Sequence, residues 1–165
     1  MFRSPGLDSQ QTPGDGMKAI ALWQPWASAM ALGWKKNETR HWSTSYRGPL
    51  LIHAAKKIIP WPSIDLQSLF DGIAFQPSDL PHGVILCKVD LIDCKRILIH
   101  NRPGGTEEML GNYTPGRFMW ITDNLQAFDP IPYRGSQGFF NVPDGLLSAP
   151  TPASANRVIE IERKD

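Results

Sequence analysis

At 165 residues, 41% of them hydrophobic and 20% charged, the chain is sized for one domain with an ordinary core. Lys and Arg number 17 against 16 Asp and Glu, and the resulting formal charge of +1 excludes a polycation that grips nucleic acid by net charge, so any basic site must be local. Two cysteines, Cys87 and Cys94, have no second pair to complete a zinc cage, and His41, His53, His82 and His100 show no metal-ligand spacing; no metal and no cofactor is expected, and the chain reads as a reduced, cytoplasmic monomer.

Residues 1–16 are rich in Gly, Pro, Ser and Gln and carry no periodic apolar face, so they read as a disordered arm or an over-extended start before Met17. The compact domain is expected over 17–147. Residues 148–165 follow as a Pro/Ala/Ser linker and short tail, in which Val158, Ile159 and Ile161 could add an edge strand. Residues 19–34 are uncharged but fall short of the ~20 apolar residues of a membrane span. Ala27-Ser28-Ala29 mimics a signal-peptide cleavage site, yet the apolar core before it, 19–23, is shorter than the usual ~7–15 residues.

Residues 19–23 read as a strand, and Pro25 then opens a helix to Leu32 that Gly33 closes. Trp26, Ala29, Met30 and Gly33 share one face of it, a core pattern. Residues 39–42 and 49–55 read as strands, the second entered through Tyr46-Arg47-Gly48-Pro49, and 62–70 as a helix with Ile64, Leu66, Leu69 and Phe70 apolar. The strongest strand is 83–93. It places Ile85, Cys87, Val89 and Leu91 on one face, and Val84, Leu86, Lys88, Asp90 and Ile92 on the other. Strands at 118–122 and 138–142 complete the pattern, the last after a Tyr133-Arg134-Gly135 turn. Short strands, two or three helices and no parallel βαβ repeat point to an α+β fold, a small curved or barrel-like sheet with flanking short helices.

Four blocks carry a resemblance: Leu22-Trp23-Gln24-Pro25-Trp26-Ala27, then Gly33-Trp34-Lys35-Lys36-Asn37-Glu38-Thr39-Arg40, then Arg47-Gly48 with Ile52-His53-Ala54-Ala55-Lys56, and finally 133–140. In this order they resemble an ASCH domain, the activating signal cointegrator 1 homology domain of the PUA-like superfamily. Its G-x-K-x-x-E-x-R hallmark is matched by Gly33, Lys35, Glu38 and Arg40. The resemblance implies a PUA-like β-barrel with helices and a basic cleft beside the first helix that takes RNA, DNA or a nucleotide. Candidate nucleic-acid-binding residues are Lys35, Glu38, Arg40, Lys56, Trp23, Gln24, Tyr46, His53 and Arg134.

From the residues alone, Glu38 and Arg40 lie two apart in an extended segment and so share a face, where Lys35 can join them. Such a cluster is equally readable as a solvated salt-bridge set worth under ~1 kcal/mol per pair. His53 fits a core position as well as a cleft, and Lys56 pairs with Lys57 on the surface or stands at the cleft mouth. Trp23, Trp42, Tyr46 and Tyr133 are stacking candidates, of which one or two at most should serve, since six tryptophans in a small domain usually build core.

Three functions follow as expectations. The first is a binding module, foremost for RNA, in which Lys35, Arg40 and Lys56 attract phosphate. The second is a hydrolase acting on RNA or on a modified nucleoside, with Lys35 and Glu38 catalytic. The amidohydrolase branch of the family carries a Thr nucleophile where this chain has Glu38, which removes the hydroxyl from that position. Thr39 should turn to the far face. The third is a protein-interaction adaptor presenting a tryptophan patch.

Overall fold

The computed structural model describes residues 16–147. The arm expected over 1–15 and the tail expected over 148–165, with its edge strand, lie outside them; Gly16, placed in the arm from sequence, is buried. Nine elements follow in chain order: β1 (Met17–Leu22), α1 (Trp26–Ala31), β2 (Asn37–Arg40), β3 (Gly48–Ala54), α2 (Ile64–Leu69), β4 (Val84–Arg96), α3 (Gly105–Met109), β5 (Phe118–Pro132) and β6 (Phe140–Val142). Single 3-10 turns at Pro77–Asp79 and Asp144–Leu146 complete the set.

The strands form one mixed sheet in the order β2-β5-β4-β3-β1-β6. All pairings are antiparallel except β1 with β3, where Ala19 faces Leu51 and Ala21 faces His53. This single parallel pair, with no repeat of it, arises because α1 and β2 together form the crossover that brings β3 back beside β1. The long β4–β5 ribbon carries register shifts at Ile85/Cys87, Lys88/Asp90 and Leu91/Asp93. Each inserted residue bends and twists the ribbon, giving the sheet its barrel-like curvature.

Curvature brings the two ends of the sheet together without strand pairing. Trp42, just past β2, meets Phe139, just before β6, with ring centroids 5.8 Å apart, and Trp120 of β5 packs against both. The main core fills the concave side, with Ile20, Leu22, Leu50, Ile52, Leu86, Val89 and Leu91 against Ala27 and Met30 of α1. Ala19, Leu51, Ile85, Phe128 and Val142 form a second cluster on the other face. Against β3, β4 carries one extra residue between Ile85 and Cys87, which pair with the consecutive His53 and Ile52; this bulge explains why Ile85, expected to share a face with Cys87, instead joins that second cluster.

Several boundaries differ from the sequence reading for local reasons. β5 runs to Pro132 rather than Thr122, crossing a bulge at Asn124, whose φ of 55° interrupts the alternation. α3 was not expected, since five residues after Gly104 leave no room for a periodic face. α2 spans a shorter range, opened by the Ser63 hydroxyl accepting from the Leu66 N–H at 3.1 Å, and Ile64 points out to solvent at 80% exposure. β2 begins at Asn37 and ends at Arg40, two residues before Trp42 turns in to the core.

Candidate nucleic-acid cleft

α1 ends in a two-bond turn that sets the whole site. Gly33, at φ 79°, gives its N–H to the Met30 carbonyl, and Trp34 gives its own to Ala29, both at 3.0 Å. This is the left-handed helix stop expected of a glycine at that position, and it throws Lys35 off the helix axis towards β2. Gln24 fixes the other end of α1: its Oε1 accepts from the Ser28 N–H at 2.9 Å, and its Nε2 donates to the Ser28 hydroxyl and the Pro81 carbonyl.

On β2 the hallmark residues converge as their two-residue spacing implies. Arg40 donates to Glu38 Oε2 at 3.2 Å and to the Ala21 carbonyl of β1 at 3.0 Å, so one guanidinium spans from the edge strand to the strand four places away in the sheet. Glu38 Oε1 accepts from the Thr39 N–H at 2.8 Å and lies 3.6 Å from Lys35 Nζ. Lys35 is only 2% exposed and donates to the carbonyls of Asn37 and Leu110. Burial pushes its ammonium below the usual lysine range, against the opposing pull of Glu38 and Glu107. The Thr39 hydroxyl accepts from the Asn112 N–H at 3.0 Å, and Thr39, expected on the far face, lines the same cavity as Glu38 and Arg40.

Between β1, β2 and the β5–β6 connection opens a cleft of about 1480 Å³. Its walls carry Arg40, Lys56, Arg117 and Arg134 against one carboxylate, Glu38, among the described residues. Glu38 is already held by Arg40 and Lys35, whereas Lys56, Arg117 and Arg134 have no ion pair among the described residues. A chain of net charge +1 thus gathers a positive surface into one cavity. Trp23 stands at the rim, 51% exposed, with Lys57 Nζ 5.7 Å from the ring centroid.

His53 forms part of the cleft floor and is 2% exposed. Its Nε2 lies 2.7 Å from the Tyr133 carbonyl, which can only accept, so Nε2 carries the proton and Nδ1 is left bare. Burial holds the imidazole below its ordinary pKa, and the Tyr133 carbonyl opposes that only in part. His82 repeats the pattern, with Nδ1 2.7 Å from the Leu80 carbonyl and a buried, unpartnered Nε2.

Not every candidate reaches the cavity. Lys35 lies behind Glu38 rather than on the wall, with its ammonium committed to two carbonyls. Gln24 is spent on α1 and is 1% exposed. Tyr46 is a core residue, 8% exposed, its hydroxyl bonded to the Pro49 carbonyl and its ring against Phe139. Tyr133 is stacked on Phe140, and Trp42 is wedged edge-on against Trp120; of the stacking candidates Trp23 alone offers an exposed face. Sequence reasoning missed Arg117, His82 and Asn112. Arg117 was legible only through pairing: Phe118 opposes Arg40, which sets the preceding residue beside the hallmark strand. Among the described residues no group of three or more His, Cys, Asp or Glu is placed to hold a metal, and no helix is long and apolar enough to cross a membrane.

Comparison with known proteins gives concordant matches. The family model described as the ASCH domain matches residues 20–132. Activating signal cointegrator 1 of Homo sapiens is 42% identical over 86 residues, and that of Mus musculus 40% over 86 residues. Each match covers 48% of this chain and 15% of the curated relative, so the chain spans a small part of those proteins. The crystal structure of ASCH from Zymomonas mobilis superposes with a TM-score of 0.57, covering 85% of this chain and 99% of that one at 13% identity. At that identity the likeness concerns the fold alone.

Proposed function

The chain belongs to the ASCH domain family, which is generally RNA-binding, and from that premise we propose that it binds single-stranded RNA in the cleft between β1, β2 and the β5–β6 connection. The observation that carries the reading is the charge of that cavity: Lys56, Arg117 and Arg134, with no ion pair among the described residues, stand around a carboxylate that Arg40 and Lys35 already hold, Arg117 being oriented by the Asn112 and Thr39 carbonyls. Phosphates supply the anions such a wall attracts, and the exposed Trp23 ring offers a platform for one unpaired base. A duplex keeps its bases stacked and leaves that platform unused.

Two other readings find less support. The hydrolase reading needs Lys35 beside the substrate to steady developing charge, and that ammonium is 2% exposed, bonded to two carbonyls and off the cavity wall. A tryptophan docking patch needs several exposed rings, and of the six tryptophans only Trp23 is more than half exposed.

The test is fluorescence anisotropy of a labelled single-stranded RNA of mixed sequence, read across a salt series with the wild type, Lys56→Gln and Arg117→Gln. Each lost phosphate contact should flatten the plot of log affinity against log salt by about 0.7. Binding that ignores salt, or variants with the slope of the wild type, would sink the proposal.

A further inference from the structure

The chain between β5 and β6 supplies Arg134 and the neighbouring Gly135, Ser136 and Gln137 to the cleft wall. No strand pairing fixes this connection between Pro132 and Phe140. Its first residue is tied by the Tyr133 N–H to the Gly83 carbonyl and by the Tyr133 hydroxyl to the Asn141 carbonyl, both at 3.1 Å, and His53 adds a further hold on Tyr133 and the contact that seats Gly135. The ring donates from Nε2 to the Tyr133 carbonyl at 2.7 Å, and two residues on the Gly135 backbone lies so close over the same ring that a Cβ there would meet His53 Cε1 at 2.6 Å and Nδ1 at 2.7 Å. The His53 ring also packs edge-on with Phe140, ring centroids 5.7 Å apart. Gly135 does not have a positive φ, so proximity to the imidazole, rather than backbone conformation, is what demands glycine there.

We propose that His53 is the positioning residue of the cleft: by seating Tyr133 and Gly135 on its ring it sets the β5–β6 connection, and through it the Arg134 guanidinium, on the path of the RNA phosphates. The inference rests on the binding function proposed above. It gives His53 a different part from that of a residue touching RNA, because the ring is 2% exposed and lies beneath Gly135.

The test has two readouts on the full chain. Amide hydrogen exchange of residues 133–139 in the free protein reports the seating; the salt slope of binding to labelled single-stranded RNA reports Arg134. Gly135→Ala should stay folded but melt lower, since the methyl must displace a buried ring or its own backbone, exchange its 133–139 amides faster, and bind RNA with a slope shallower by about 0.7, the same loss as Arg134→Ala. Adding Arg134→Ala to Gly135→Ala should then cost nothing more. His53→Ala removes both the bond to the Tyr133 carbonyl and the ring under Gly135, so it should by itself exchange the 133–139 amides faster than the wild type, and adding Gly135→Ala to it should accelerate them no further. Should His53→Ala prove too unstable to purify, His53→Gln keeps an N–H for the Tyr133 carbonyl but no ring under Gly135, and its 133–139 amides are expected to exchange between the wild type and Gly135→Ala. Unchanged exchange in Gly135→Ala would overturn the seating whatever RNA does. Fast exchange with an undiminished slope would overturn the route through Arg134. A wild type that does not bind RNA would sink the function itself, while exchange still decides whether His53 seats the connection.

Discussion

Lys35→Met removes one ammonium and keeps the length of the side chain. In the wild type that ammonium is 2% exposed and satisfies the carbonyls of Asn37 and Leu110 while facing Glu38 at 3.6 Å. Substitution leaves two carbonyls short of a donor and a carboxylate short of a cation. Breaking a buried pair from one side costs about 3–5 kcal/mol, and Glu38 keeps Arg40 and the Thr39 N–H, so the lower end, about 3 kcal/mol, is expected. For a domain of this size that corresponds to a melting temperature lower by on the order of 10 °C. With an m-value of about 2 kcal/mol/M the urea midpoint falls by about 1.5 M. The assay is urea unfolding followed by tryptophan fluorescence, paired with the salt slope of RNA binding measured well below the midpoint. The slope should match that of the wild type, because Lys35 does not reach the wall. A variant that unfolds with the wild type but shows a shallower slope would refute the reasoning and put the ammonium on phosphate.

Three further outcomes are expected. Arg40→Ala cuts the bridge from β2 to the Ala21 carbonyl, so hydrogen exchange at Asn37–Arg40 should accelerate more than at β3; uniform acceleration across the sheet would contradict a local closure role. Trp23→Ala should leave the melting temperature within a degree or two, since the ring is half exposed, while weakening RNA binding by about 1–3 kcal/mol; unchanged affinity would remove Trp23 as a platform. Burial depresses the pKa of His53, so as pH falls through about 6.5 the unfolded chain takes up this proton first, and the stability present above that pH is lost in acid. Melting at pH 7.5 and pH 5 should therefore differ less in His53→Gln than in the wild type, and an equal drop in both would contradict a neutral His53.

Local chemistry made much of the fold legible. Gly33 as a helix stop, the shared face of Glu38 and Arg40, and the alternation of β4 past its bulges each follow from rules that act over a few residues. The extent of β5 and the parallel β1–β3 pair were not legible, because bulges and crossovers are settled by long-range pairing. The site divides in the same way. The hallmark marks Lys35, Glu38 and Arg40 without telling which of them meets solvent, and burial separates a lysine behind the wall from an arginine on it. Arg117 and His82 carry no spacing signal, and Gly135 shows its purpose only beside the His53 ring.

The central claim is where RNA lies. Photocrosslinking of a 4-thiouridine-substituted single-stranded RNA, with the attached peptides mapped by mass spectrometry, tests it most directly. Crosslinks are expected on peptides that carry Trp23, His41 and Trp42, or residues 134–138, which line one cavity though they are far apart in sequence. Crosslinks gathered instead around the exposed Ile64 and Phe75, outside that cavity, would contradict the account.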